Sequence, residues 1–300
     1  ASRDDAKVTL KSSDLLQSSQ VLNIMLFGED NKQENDTHGR TDTMIMLSID
    51  NVHKKLKLTS FQRDTYVYIP GKGYDKINAS YTLGGASLSI KTIQSNFGVK
   101  IDRYAVVDFD SFKDIIDTLG GVEMELTKDE IDYINYQMYK NDQSGGNPTT
   151  ITDKPGLIKL NGQEALWYAR DRGLTIGEDG NEIGISGDDW DRTDRQRKLL
   201  TKMVTDLKGA SLDKIISIVD QIGPKITTNL KKDEIMGLVS NALTYIDYDI
   251  TQNFVPKEGL WYYNNPGDES WDIAGSCIHI TDMEAQRKAL ADFVYEDLVK

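Results

Sequence analysis

A chain of 300 residues with 38% hydrophobic positions can bury one large core or two small ones, and its formal net charge of −13 argues against a nucleic-acid partner, since a phosphate backbone repels an acidic surface. Any phosphate it binds requires a local basic cluster. The single cysteine, Cys277, excludes an internal disulfide and reads as a small core hydrophobe.

In chain order, the polar stretch 1–20 is expected to follow a membrane anchor absent from this chain, ahead of a single domain over 21–300. The almost continuously apolar runs 21–27 and 44–47 with Ile49 read as central strands covered on both faces. Residues 55–61 alternate Leu56 and Leu58 with Lys57 and Thr59, which predicts a half-exposed strand joined to its neighbour by a short turn. Helix 86–97, strand 103–108, helix 111–119 and strand 122–126 follow, so a mixed α/β sheet is expected. Asn161 with Glu164 opens a helix through Tyr168, and Thr281 with Glu284 opens the last one. The segment 173–189, rich in Gly, Asp and Glu, is either a solvated insertion or a flap over a site.

Chemistry can sit at four places. Gly28-Glu29-Asp30 ends the first strand, where open α/β sheets bind ligands, although a plain turn explains it as well. Gly39-Arg40-Thr41-Asp42 leads into the second strand; Asp30 and Asp42 then form either a hard-cation site or, at Asp42, an Asx turn. Gln62-Arg63-Asp64 ends the third strand, with Lys76 after it, and a surface ion pair is the plainer reading. In the amphipathic stretch 190–209, Leu199, Leu200, Met203, Val204 and Leu207 mark the buried face, and stepping back places Arg192, Arg195 and Gln196 on it near the helix N-terminus. Arg197, Thr201, Thr205 and Lys208 fall on the exposed face. Buried arginines need either carboxylates such as Asp191 or Asp194, or an anionic ligand; with Arg170 and Arg172 nearby, a pyrophosphate is the favoured partner. His38, His53 and His279 have no zinc-type spacing, His38 reads as a solvated loop residue, and no nucleophile elbow or phosphate loop occurs.

The ordered set Gly28-x-Asp30, Gly39-Arg40-Thr41-Asp42-Thr43, Arg63-Asp64-Thr65, Lys76-Ile77-Asn78, Asn161-Gly162-x-x-Ala165-Leu166-x-Tyr168-x-Arg170-x-Arg172 and Asp191-Arg192-x-x-Arg195-Gln196 resembles the LytR-CpsA-Psr family over residues 20–208. The resemblance implies a three-layer α/β/α fold with a central mixed sheet and a hydrophobic lipid pocket. It implies transfer of a glycopolymer phosphate, as in teichoic acid or capsule attachment, from an undecaprenyl-pyrophosphate carrier to peptidoglycan. The protein would then sit at a bacterial membrane with its catalytic domain on the extracytoplasmic face. Asp30 and Asp42 would hold Mg²⁺, with Mn²⁺ as a substitute; Arg40, Arg63, Lys76, Arg170, Arg172, Arg192, Arg195 and Gln196 would surround the pyrophosphate, and Asp42 or Asp64 would accept the hydroxyl proton. Glu29 stands where the family often has a small residue. Ile90, Ile93, Phe97, Phe109, Phe112, Ile115, Ile116 and Leu119 become candidates for the lipid, although ordinary core packing explains the same stripes. A polyprenyl-pyrophosphate phosphatase, or a non-catalytic protein that binds the lipid-linked precursor, would use much the same residues.

Overall fold

In a computed structural model, residues 10–30, 38–141, 150–177, 181–185, 187–206 and 211–299 are described. The apolar runs become β1 (Val21–Glu29) and β2 (Thr41–Asp50), which pair antiparallel, and β2 pairs antiparallel with β3 (Lys55–Phe61). The hairpin β4 (Tyr66–Ile69) and β5 (Gly73–Lys76) precedes α1 (Ala79–Phe97), β6 (Arg103–Asp108), α2 (Phe109–Leu119), β7 (Val122–Leu126), α3 (Lys128–Lys140), β8 (Gly156–Leu160) and α4 (Gly162–Arg170). Then come β9 (Leu174–Ile176), β10 (Glu182–Ile185), α5 (Asp189–Asp206), α6 (Leu212–Ile222), β11 (Thr227–Thr228), α7 (Lys232–Ser240) and α8 (Ala242–Tyr245). The chain ends with β12 (Asp249–Val255), β13 (Trp261–Tyr263), α9 (Glu269–Ala274), β14 (Ile278–Ile280) and α10 (Met283–Tyr295).

The chain forms two compact units: one of Ala1–Asp108, Thr227–Gly237 and Asp247–Lys300, the other of Phe109–Ile226 and Leu238–Ile246. The first holds a six-stranded sheet in the order β11-β6-β1-β2-β3-β12. It is mixed, as expected, because β1–β6 and β3–β12 are parallel while the hairpin-linked pairs are antiparallel. One face presents Met25, Phe27, Met44, Met46 and Phe61 to Ile93 and Phe97 of α1 and to Leu290 and Val294 of α10. The second unit has its own core, in which Ile116, Leu126, Ile134, Leu160, Ala165 and Leu199 pack together. The lipid-pocket candidates fall into both: Ile93 and Phe97 are buried in the first core, Ile90 lies against it, and Ile116 and Phe112 belong to the second.

Four expectations are corrected. β3 is not half-exposed: only Lys55 reaches solvent appreciably, because β12 extends the sheet beyond it and Asp50 neutralises buried Lys57. β7 does not join the central sheet but pairs with β8 alone. α1 begins seven residues before the expected 86, because Gly84 and Gly85 leave helical geometry, Gly85 at φ 62°, and separate a first turn from the regular stretch. The last helix is capped by Asp282, which accepts from Ala285 N–H, since Thr281 N–H is engaged by the Leu260 carbonyl.

Candidate functional site

In the first unit the strand ends are shaped by glycines. The β1–β2 register shifts so that Gly28 faces Thr43 while Glu29 faces Thr41, leaving Asp42 as the extra residue of a bulge, a device that re-aims a side chain. A Cβ on Gly39 would lie 2.3 Å from the Asp30 carbonyl oxygen, so only glycine allows this approach. Asp30 N–H donates to the Arg40 carbonyl at 2.8 Å, and Glu29 Oε1 accepts from Gly39 N–H at 2.9 Å. The unusual Glu29 is therefore occupied in holding the loop that carries Arg40.

Beside that bulge runs a row of alternating charge. Arg63 Nη1 lies 2.7 Å from Asp42 Oδ1, Arg63 Nε 3.4 Å from Asp64 Oδ2, and Lys76 Nζ 2.9 Å from Asp64 Oδ1. All four side chains are between 20% and 31% exposed, so an incoming anion can reach the two cations without unfolding anything. Arg40 is exposed and enters no ion pair among the described residues. The arrangement offers hard oxygen donors at Asp30 and Asp42 and cationic donors at Arg40, Arg63 and Lys76.

The second unit carries the remaining arginines. Asn161 and Glu164 form the expected capping box, and Gly162 is required because a Cβ there would lie 2.2 Å from the Lys113 carbonyl oxygen. At the other end of α4, Arg170 lies 4.4 Å over the Phe109 ring. Between Arg170 and Arg172 sits buried Asp171, whose carboxyl is pushed up by burial while Arg195 opposes the shift. Arg195 spans 2.9 Å to Glu130 and 3.4 Å to Asp171; burial lowers its pKa, and the two carboxylates more than offset that. Arg192, 3% exposed, lies 2.5 Å from Asp189, and Arg172 lies 4.0 Å from the same carboxylate. Gln196 donates to the Ala169 carbonyl at 3.3 Å.

Helix α5 departs from its expected stripe. Arg197, assigned to the exposed face, is 1% exposed and paired with Asp194 at 2.9 Å, and burial lowers its pKa. The reason is that α5 packs against both α4 and β7, so two flanks are covered rather than one. Leu199 is buried as expected, Leu200, Met203 and Val204 are half-buried, and Leu207 and Lys208 lie outside the described residues. The helix N-terminus is already supplied with an anion, because Asp188 accepts from Trp190 N–H at 2.8 Å. The carboxylates Asp171, Asp189 and Glu130 that hold the arginines were not foreseen; only Asp171, lodged between two arginines, carries a sequence signal.

The glycine-rich 173–189 segment is in part a hairpin of β9 and β10, tied to α3 where Tyr136 donates to Glu182 at 2.8 Å; residues 178–180 and 186 lie outside the described residues. His38 is not fully solvated but half-buried, 6.3 Å from the Tyr81 ring. Cys277 is fully buried, as expected, and burial raises its thiol pKa.

Among the described residues one trio of side chains, Asp50, His53 and Glu296, brings its ligand atoms within 4.8 Å of one another. Its centre is taken: Lys57 Nζ lies 2.7 Å from Asp50 and 3.0 Å from Glu296. An ammonium there does the neutralising that a metal would do.

A mixed sheet with flanking helices and a basic, glycine-shaped strand end defines an α/β protein suited to an anionic ligand. The LytR_cpsA_psr family model matches residues 1–275, and the chain belongs to that family. It is 31% identical over 260 residues to the polyisoprenyl-teichoic acid–peptidoglycan teichoic acid transferase TagU of Oceanobacillus iheyensis, a match covering 83% of this chain and 72% of that protein. The crystal structure of Bacillus subtilis TagV superposes with a TM-score of 0.66 at 26% identity, over 93% of this chain and 98% of that one. YwtF (TagT), solved with bound octaprenyl pyrophosphate lipid, shares the fold at a TM-score of 0.63 and 22% identity, over 92% of this chain and 91% of that one.

Proposed function

We propose that the chain is a transferase that moves a glycopolymer phosphate from a polyprenyl-pyrophosphate carrier to peptidoglycan on the extracytoplasmic face of a bacterial membrane. The observation that carries the reading is the half-exposed row Asp42–Arg63–Asp64–Lys76 beside the Asp30 strand end, in a chain of the LytR_cpsA_psr family that is 31% identical to TagU, a protein named for this transfer. The octaprenyl pyrophosphate bound to YwtF supports the same donor class. No helix among the described residues is long and apolar enough to cross a membrane.

Arg40, Arg63 and Lys76 bind the pyrophosphate oxygens, while Arg170, Arg172, Arg192 and Gln196 form a basic cluster of their own in the second unit. Arg195 acts through Asp171 and Glu130, fixing the turn that carries Arg170 and Arg172. Asp30 and Asp42 fit a hard cation: both are carboxylates at adjacent strand ends, and Arg63 engages Oδ1 of Asp42. Mg²⁺ or Mn²⁺ held there supplies charge neutralisation at the pyrophosphate. The acceptor hydroxyl oxygen attacks the sugar-linked phosphorus, the bond to the bridging oxygen breaks, and polyprenyl phosphate leaves as the cations stabilise its growing charge. Asp64, held between Arg63 and Lys76, takes up the hydroxyl proton in preference to a metal-bound Asp42.

The test is incubation of the protein and an Arg63→Ala variant with a polyprenyl-pyrophosphate-linked sugar, Mg²⁺ and peptidoglycan fragments, followed by mass spectrometry. Phosphodiester-linked glycan on the fragments, lost in the variant, is the expected result. Free glycan phosphate alone would identify a phosphatase instead, and unchanged donor would identify a binding protein.

A further inference from the structure

A second feature of the first unit begins where the charged row ends. On β4 the alternation buries Val67 and Ile69 and turns Tyr66 and Tyr68 outward, and on β5 Lys76 stands directly opposite Tyr66 while Tyr74 stands opposite Tyr68. Tyr74 meets Tyr68 at 5.4 Å and stacks on Tyr66 at 5.6 Å. The row continues onto the C-terminal hairpin, because Ile278 N–H donates to the Asp64 carbonyl at 2.8 Å and draws β14 alongside β4. His279 therefore lies 5.0 Å from Tyr66, and Tyr262, directly across the β13–β14 pair, stacks on His279 at 5.2 Å.

The middle of this row is held from below by a buried polar network. Asn264 Nδ2 donates to Ser270 Oγ at 3.1 Å, and Ser270 Oγ lies 2.8 Å from His279 Nε2. Asn264 and Ser270 are 5% and 6% exposed, so buried polar groups fix a ring that is itself sandwiched between two tyrosines. Tyr262 at the end of the row is 49% exposed and Tyr263 beside it 42%. A ring platform that is rigid before any ligand arrives loses little freedom on binding.

We propose that this row, from Lys76 through Tyr74, Tyr66 and His279 to Tyr262, is a docking surface for the pyranose rings of an uncharged acceptor glycan. The inference rests on the transferase reading, because it makes the row the approach by which an acceptor hydroxyl reaches Asp64. Pyranose rings combine an apolar C–H face with a hydroxyl rim, which matches aromatic rings edged by phenol groups. Continuity with the charged row is the first argument, since Tyr66 and Lys76 are cross-strand partners. Charge is the second: exposed Glu269 lies near Tyr66, where after burial and the neighbouring Cys277 it helps to raise its phenol pKa. A carboxylate on that flank opposes an anionic lipid surface and accepts hydrogen bonds from sugar hydroxyls.

The test titrates chitotetraose, an uncharged tetrasaccharide of N-acetylglucosamine, and separately octaprenyl pyrophosphate into the wild-type protein, Tyr262→Ala and Tyr262→Phe. The inference expects Tyr262→Ala to weaken chitotetraose binding about five- to tenfold, Tyr262→Phe to stay within about twofold, and lipid pyrophosphate binding to be unchanged in both variants. Absence of chitotetraose binding to the wild type, or equal binding by Tyr262→Ala, overturns the inference. So does Tyr262-dependent binding to phosphatidylglycerol vesicles without sugar binding. Loss of octaprenyl pyrophosphate binding in the wild type would overturn the transferase reading instead, with the sugar titration still deciding the surface by itself.

Discussion

Two charged clusters in the first unit use nearly the same residue types and do opposite things. In one, Asp50 and Lys57 are 0% and 1% exposed, and every strong group has a partner: Asp50 Oδ1 accepts from the backbone of Val52 and His53, Oδ2 from Lys57 and His53, and Lys57 also donates to the Val294 carbonyl at 2.9 Å. Burial alone would raise the Asp50 pKa, and the His53 and Lys57 hydrogen bonds hold it below its ordinary value instead. In the other, Asp42, Arg63, Asp64 and Lys76 are linked in a row of ion pairs and remain open to solvent, between 20% and 31% exposed. The first cluster joins the β2–β3 turn to the end of α10 around a buried ammonium; the second lies where solvent, and so a ligand, can reach it. Proximity of ligand-type side chains singles out the buried cluster, while residual exposure singles out the site.

The comparison breaks most readily at Asp50. Asp50→Ala strands Lys57 in the interior and is expected to cost about 3–5 kcal/mol in urea unfolding. Arg63→Ala should do the reverse, lowering transfer about 100- to 1,000-fold in an acceptor-product assay while shifting stability by less than about 1 kcal/mol. If Arg63→Ala unfolds the protein instead, the two clusters are alike and both structural. Gly162→Ala sharpens the boundary from outside both clusters: a Cβ 2.2 Å from the Lys113 carbonyl oxygen should destabilise by about 1–3 kcal/mol, so this motif glycine shapes rather than binds.

The smallest effect is a pH dependence confined to the buried cluster. The hydrogen bond to Asp50 raises the His53 pKa, with burial opposing and Asp50 and Glu296 adding attraction. Its stabilising contribution is therefore complete below about pH 6.5 and fades as pH rises through the elevated folded value. Unfolding midpoints measured from pH 6 to 9 should decline in the wild type and flatten in His53→Gln.

Strand positions were legible where the physics was local. β3 and β6 coincide with the expected 55–61 and 103–108, because apolar runs and turn residues mark their ends. The partner of β7 was not, since nothing within 122–126 tells a sheet interior from a two-stranded ribbon. Spacing left open whether Arg63 and Asp64 make a plain surface ion pair or meet the other motif residues; the structure joins Asp42, Arg63, Asp64 and Lys76 in one row. The arginines of α5 were half legible: a helical stripe assumes one covered flank, and Arg197 is buried on a second one against an i−3 aspartate. The His279 row escaped notice because its rings come from segments about 200 residues apart, brought together where the Asp64 carbonyl accepts from Ile278 N–H.

The most direct measurement is the urea midpoint of wild type and Arg63→Ala with and without octaprenyl pyrophosphate. At about 100 times its dissociation constant the ligand should stabilise the wild type by about 2.7 kcal/mol and the variant by far less. Equal stabilisation of both proteins would contradict the assignment of the half-exposed row to the pyrophosphate.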